Sequence, residues 1–148
     1  MPAGEAQPYR SPAAILQGLA GHTIAVVGLS SDPASPSHAV AAYLQKQGYH
    51  IIPVNPKEEE VLGERAYPSL HDIPERVDVV DVFRRPDAVP GIVEEAITAG
   101  VPVLWLQLGV VNEDAARRAA EAGITVVMDR CMKIEHALRR QLESGADR

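Results

Sequence analysis

Five short apolar runs, rich in β-branched residues, recur along the chain: Thr23 to Val27, Ile51 to Val54, Val77 to Phe83, Val103 to Leu108 and Ile124 to Met128. Stretches with apolar residues at helical spacing separate them. Strands that alternate with helices pair in parallel through right-handed crossovers, because a helix-length connection carries the chain back to the same end of the sheet. The run Val103-Leu-Trp-Leu-Gln-Leu108 is nearly unbroken in its hydrophobicity, as a strand covered on both faces requires. The alternation predicts one α/β domain, a three-layer Rossmann-like doubly wound parallel sheet of about five strands.

Punctuation between the runs supports that layout. Ser11-Pro12 reads as a helix start, with Ile15, Leu16 and Leu19 on one face and Gly21 as the stop. A second helix is expected over 37–47, with Val40, Tyr43 and Leu44 inward and Gly48 closing it. A third covers 86–99 with Pro90 tolerated near its first turn, and Asn112 caps a fourth that opens on Glu113 and Asp114. The last helix is expected over 131–142. Between Lys57 and Arg76 the pattern predicts a solvated Glu58-Glu59-Glu60 run, a short extended excursion near 61–67 and one helical turn at 69–73. The domain therefore spans 11–142, between a loose leader at 1–10 and a tail at 143–148.

Composition narrows the function classes. A chain of 148 residues is long enough for one good core. A formal charge of −6 argues against nucleic acid as a partner. One cysteine excludes an internal disulfide framework and a Cys-cluster zinc site, and the histidines at 22, 38, 50, 71 and 136 lack metal-ligand spacing. The start Met-Pro-Ala-Gly-Glu shows no secretory pattern, and no apolar run reaches membrane-span length. A cytoplasmic location is expected.

In a doubly wound sheet the ligand sits at the carboxyl ends of the strands, so the residues just after each strand carry the functional signal. After the first comes Gly28-Leu-Ser-Ser-Asp-Pro33, leading to Pro36-Ser37 at a helix start, a place suited to a phosphate. It is not the dinucleotide fingerprint: Ser30 and Pro33 stand where the second and third glycines would be. The other ends are Asn55-Pro56-Lys57, Arg84-Arg85-Pro86, Gln107-Leu108-Gly109 and Asp129-Arg130-Cys131. Cations at three ends of an acidic chain point to an anion. NAD wants a carboxylate after the second strand, to hold the ribose hydroxyls; Lys57 stands near that place instead. A ligand with a phosphorylated ribose, NADP or coenzyme A, is favoured.

Plainer readings stand beside these. Lys57 adjoins three glutamates and reads equally as a surface lysine paired with them. Of Arg84 and Arg85, one is expected to face the site and the other the solvent. Gln107 also reads as a cap. Asp78 and Asp81 are three apart on a strand, hence on opposite faces, and make no catalytic pair. Cys131 has the position of a nucleophile near a helix start but no local histidine base, so packing is the favoured role. His38 is the histidine expected nearest the ligand, and Trp105 is expected in the core.

Four blocks in order, Val26-Val-Gly-Leu-Ser-Ser-Asp-Pro-Ala-Ser-Pro-Ser37, Gly48-Tyr-His-Ile-Ile-Pro-Val-Asn-Pro56, Val79-Val-Asp-Val-Phe-Arg-Arg-Pro86 and Met128-Asp-Arg-Cys-Met-Lys133, resemble the stand-alone CoA-binding proteins. These are small domains similar to the CoA-binding domain of the succinyl-CoA synthetase α subunit. The resemblance covers about 11–142. It implies that Gly28, Ser30, Ser31, Pro36 and Ser37 form the phosphate-facing loop. By the same resemblance Asn55, Pro56 and Lys57 lie along the ADP part of CoA, and Phe83, Arg84 and Arg85 line the adenine and phosphates. Gln107 and Gly109 fall where the pantetheine arm would leave the nucleotide pocket. The synthetases also use a phosphorylated histidine in a second domain and a nucleotide-grasping subunit, and this chain is too short to hold either.

The expected function is therefore binding of CoA or acyl-CoA without catalysis, with no catalytic residue and no metal assigned. The alternatives are an NADP-dependent oxidoreductase, a detached acyl-CoA synthetase-like subunit active with partner chains, and an interaction protein that has lost its ligand. Apolar helices on a compact domain are compatible with a homodimer or a larger complex.

Overall fold

The computed structural model describes residues 9–146; most of the expected leader, 1–8, lies outside them. Helix α1 (Pro12–Leu19) starts as its sequence requires: the Ser11 side chain accepts the Ala14 N–H. It leads to β1 (Thr23–Val27), α2 (Pro36–Lys46) and β2 (His50–Val54). The excursion between Lys57 and Arg76 is a two-stranded hairpin, β3 (Glu60–Val61) against β4 (Glu64–Arg65), followed by a 3-10 turn at Leu70–Asp72. Then come β5 (Val79–Val82), α3 (Val89–Ala99), β6 (Val103–Leu106), α4 (Glu113–Glu121), β7 (Thr125–Met128) and α5 (Met132–Ala146).

Five of the strands form one parallel sheet in the order β2-β1-β5-β6-β7. The predicted doubly wound α/β fold is the one observed. The chain winds outward from β1 to β2, then crosses back to β5 on the other side of β1, so the strand order reverses between β1 and β5. On one face Val80, Val82, Leu104, Leu106, Val126 and Met128 pack under α3 and α4; on the other, Val26, Val79, Trp105 and Val127 pack under α1, α2 and α5. Trp105 is fully buried, and its Nε1 donates to the Arg130 carbonyl at 2.9 Å.

Several element ends differ from the sequence reading, three of them informatively. The third helix opens with a 3-10 turn, Pro86–Ala88, because the Pro90 nitrogen cannot donate to Pro86. Strand β6 ends at Leu106, where Gln107 bends the chain toward a turn closed by the Val110 N–H on the Gln107 carbonyl. Helix α5 runs on to Ala146, through residues expected to be tail. At the other end Tyr9 and Arg10 are tied down rather than loose. The Met128 N–H donates to the Tyr9 carbonyl at 2.9 Å, and Arg10 reaches Asp129 at 2.7 Å.

Candidate functional site

The strand order makes the carboxyl ends of β1 and β5 the place where two crossovers part and a crevice opens. A cavity of about 620 Å³ lies there. Gly28 and Phe83 leave the two strands at its base, and Ser35, Pro36, Ser37 and Val40 supply the α2 wall. Arg84, Arg85 and Pro86 form a second wall, Gln107, Leu108, Gly109 and Val110 a third, and Cys131 closes it before α5. Its lining is mostly apolar, with cations at one rim.

Gly28 is dictated by packing. Its φ is +90°, and a Cβ there would lie 2.3 Å from the Phe83 carbonyl oxygen. The two strand exits therefore touch through bare backbone, which brings the Phe83-Arg84 corner against the β1 turn. Past Gly28 the loop is braced by its own side chains. Ser37 Oγ accepts the Ser30 N–H at 3.0 Å, Ser30 Oγ accepts the Asp32 N–H at 3.0 Å, and Asp32 Oδ1 accepts the Ala34 N–H at 2.9 Å. Ser35 and Ser37 share a hydroxyl contact of 2.8 Å. Among the described residues no side chain caps the first turn of α2, so the N–H groups of Ser37 and His38 are left for an outside acceptor.

Not every expected residue reaches this cavity. Gly28, Pro36, Ser37, Phe83, Arg84, Arg85, Gln107 and Gly109 line it; Ser30, Ser31, Asn55, Pro56 and Lys57 do not. Ser31 lies outward, and its N–H is held by a Glu58 carboxylate oxygen at 2.7 Å. Asn55 spans the gap between strand ends: Nδ2 donates to the Leu29 carbonyl at 3.1 Å while Oδ1 accepts the Lys57 N–H at 3.0 Å. Pro56 lines a separate small recess with Leu70, Glu95 and the other side of Arg84. Lys57 is exposed beside it and, like Arg84, takes part in no ion pair among the described residues. Arg85 meets Asp87 at 3.6 Å, both strongly exposed, a contact that screening leaves weak. His38 does not line the cavity either.

The cavity also contains residues that sequence reasoning did not assign to it: Ser35, Val40, Pro86, Leu108, Val110 and Cys131. Pro86, Leu108 and Cys131 sit in the strand-end segments already singled out by position, whereas Val40 gave only the signal of a core residue. Gln107 has a structural duty, since its Oε1 accepts the Met132 N–H at 3.1 Å and so caps α5. The Gly109 N–H donates to Asp129 Oδ1 at 2.8 Å, and the other carboxylate oxygen of Asp129 holds Arg10. Asp129 takes a left-handed φ of +61° to do this, a conformation aspartate tolerates.

Two aspartates on β5 and its approach fall on opposite faces, as expected. Asp78 accepts the N–H groups of Thr23 and His22 at 2.9 Å each, and those bonds hold its carboxyl below the usual range. Asp81 is fully buried on the α1/α5 face, neither carboxyl oxygen has a hydrogen-bond partner among the described residues, and burial pushes its carboxyl well above the usual range. Among the described residues no group of three or more potential ligands is placed to hold a metal ion, and no helix is long and apolar enough to cross a membrane.

A switch-point cavity with uncapped N–H groups on one wall and an unpaired arginine on another suits an elongated anionic ligand with apolar parts. Comparison with known proteins supplies the family: a model described as CoA binding domain matches residues 22–137. The chain belongs to the CoA binding domain family. It is 48% identical over 117 residues to the uncharacterized protein YneT of Bacillus subtilis, covering 79% of this chain and 87% of that protein. It is similar to a solved hypothetical protein from Pyrococcus horikoshii, with 42% identity, a TM-score of 0.81 and coverage of 84% and 88% of the two chains. The α subunit of the ADP-forming acetate–CoA ligase II of Pyrococcus furiosus is 34% identical over 102 residues. That match takes in 66% of this chain but only 22% of the ligase subunit, so this member of the family is homologous to one part of a much longer protein.

Proposed function

We propose that the chain binds CoA or acyl-CoA at the β1/β5 switch point and performs no catalysis of its own. The observation that carries the reading is the pairing, within one cavity, of the uncapped α2 start with the unpaired Arg84 in a chain of the CoA binding domain family. The first-turn N–H of Ser37, in the cavity wall, receives the pyrophosphate, as a helix start favours an anion through both its dipole and its free donors. Arg84 adds a bidentate cation at the rim. Phe83, Pro36 and Pro86 flank the adenine, and the Gln107–Val110 wall carries the pantetheine arm. Lys57, outside the cavity proper, faces the ribose 3′-phosphate together with Asn55 and Pro56, while Ser30 and Ser31 hold the loop that presents the donors. A cytoplasmic location agrees with this ligand.

Calorimetric titration with CoA, 3′-dephospho-CoA, NADP and NAD tests the reading. CoA is expected to bind tightest, dephospho-CoA more weakly through the loss of one phosphate, and NAD weakest. Binding of NADP without binding of CoA would refute it in favour of an oxidoreductase. Incubation with acetate, ATP and CoA is expected to yield no thioester.

The ligase relatives favour one second reading, a detached component that works only with partner chains, since the homologous segment is 22% of the ligase subunit. Turnover that appears only when a ligase-type partner chain is added would establish it; turnover by the chain alone would overturn both readings.

A further inference from the structure

Gln107 and Cys131 come together in the wall of the cavity. Gln107 is 4% exposed, and the bond from the Met132 N–H to its Oε1 fixes the amide plane. Among the described residues its Nε2 donates to no protein group, and the residue lines the cavity. The amide nitrogen is open to the cavity, where a ligand carbonyl can accept its N–H. Cys131, immediately before Met132, lines the same cavity and is the single cysteine of the chain. Leu108 and Val110 line the same cavity and add apolar surface to it.

We propose that Cys131 is a thiol-exchange site, taking CoA from its disulfide form into a mixed disulfide with the protein. The inference rests on the CoA reading above and adds to it a covalent step that binding alone does not require. A pantetheine arm offers what this wall lacks: amide carbonyls for Gln107 Nε2, methyl groups for the apolar lining, and a terminal sulfur for Cys131. With the pyrophosphate at Ser37, the arm shares the cavity that Cys131 lines. In the step, the Cys131 sulfur gives its proton to solvent and attacks one sulfur of the disulfide. The old S–S bond breaks, a Cys131–S–S–CoA bond forms, and the departing CoA thiolate takes a proton from solvent. One disulfide is exchanged for another, with no net oxidation and no added oxidant.

The test mixes reduced protein with CoA disulfide and follows intact mass. One adduct is expected, equal to one CoA less two hydrogens and removed by dithiothreitol; with one cysteine in the chain, the mass also locates it. Binding should speed it at least about tenfold over pantethine, the same disulfide without the nucleotide, because a docked sulfur reacts as a neighbour and not as a free reagent. Cys131→Ser should give no adduct, and the wild-type rate comparison stands even if that variant folds poorly. Equal rates with the two disulfides, or no adduct, would overturn the proposal. If reduced CoA still binds in calorimetry in that case, the CoA reading survives and only the exchange step falls. If reduced CoA does not bind, both fall.

Discussion

A carboxylate oxygen of Glu58 sits 2.7 Å from the backbone nitrogen of Ser31, in the loop whose neighbouring N–H groups are offered to an anion. The acidic run after β2 thus folds back on the β1 turn and occupies with protein charge a donor that phosphate would otherwise compete for. Both groups are exposed, so the contact is weak and displaceable. Glu58→Gln removes the like charge beside an incoming phosphate and is expected to lower the CoA Kd by roughly two- to fivefold. The gain should shrink as salt is raised. Weaker binding would instead assign Glu58 to ordering the loop, and titration at low and high ionic strength separates the two.

Arg84 and Lys57 carry the same charge in different settings. Arg84 lies between the main cavity and the recess lined by Pro56 and Glu95, whereas Lys57 lines neither. Arg84→Ala is expected to weaken CoA binding by roughly ten- to a hundredfold, the value of a charge-assisted hydrogen bond. Lys57→Ala should cost only a few-fold, and the loss should vanish when 3′-dephospho-CoA replaces CoA. Melting temperatures should be unchanged in both. A Lys57 effect equal for the two ligands would remove it from the ribose phosphate.

Much of this arrangement is legible in the sequence. The five strands followed from the β-branched runs, and the switch point from their alternation with helices, because parallel crossovers admit few topologies. Legibility ended where function depends on distant backbone. Nothing near Ser31 announces that Glu58 will hold its N–H, and nothing near Gly109 announces that Asp129 will. Both contacts join segments at least 20 residues apart in sequence. The sequence around Cys131 shows only a thiol near a helix start, whereas its relevance comes from the cavity wall it shares with Gln107. Val40 is invisible for a related reason: one face of α2 serves both the core and the cavity.

Gly28 and Gly48 look alike by conformation, with φ of +90° and +102°, but not by surroundings. A Cβ on Gly28 meets the Phe83 carbonyl oxygen at 2.3 Å, while one on Gly48 meets nothing within 4 Å. Gly48→Ala therefore bears only backbone strain, about 1 kcal/mol. Gly28→Ala adds a backbone collision that can be relieved only by parting β1 from β5, and is expected to cost about 3 kcal/mol or more. Urea denaturation measures both. A Gly28→Ala protein as stable as Gly48→Ala would show that the strand exits are not held in contact.

Asp81 faces Val26 on one side and Trp105 on the other in the sheet register, with neither carboxyl oxygen hydrogen-bonded. Burial raises its folded-state value well above that of the unfolded chain. The sign follows from proton counting. Below the unfolded value, near pH 4, both states are protonated and Asp81 makes no pH-dependent contribution. As pH rises above it, the unfolded chain loses its proton and the folded one keeps it. The folded state then binds more protons, and stability falls with pH until the raised folded value is passed. Asp81→Val removes both the titration and the unsatisfied polar group at nearly constant volume. It is expected to stabilise the protein by about 1–3 kcal/mol from the polar group alone, with a further gain that grows between pH 5 and pH 8. Asp81→Asn, which keeps the polar group, should abolish only the pH-dependent part. Urea midpoints of the three proteins at the two pH values decide the matter, and a wild-type midpoint that rises with pH relative to Asp81→Asn would show that Asp81 is charged in the fold.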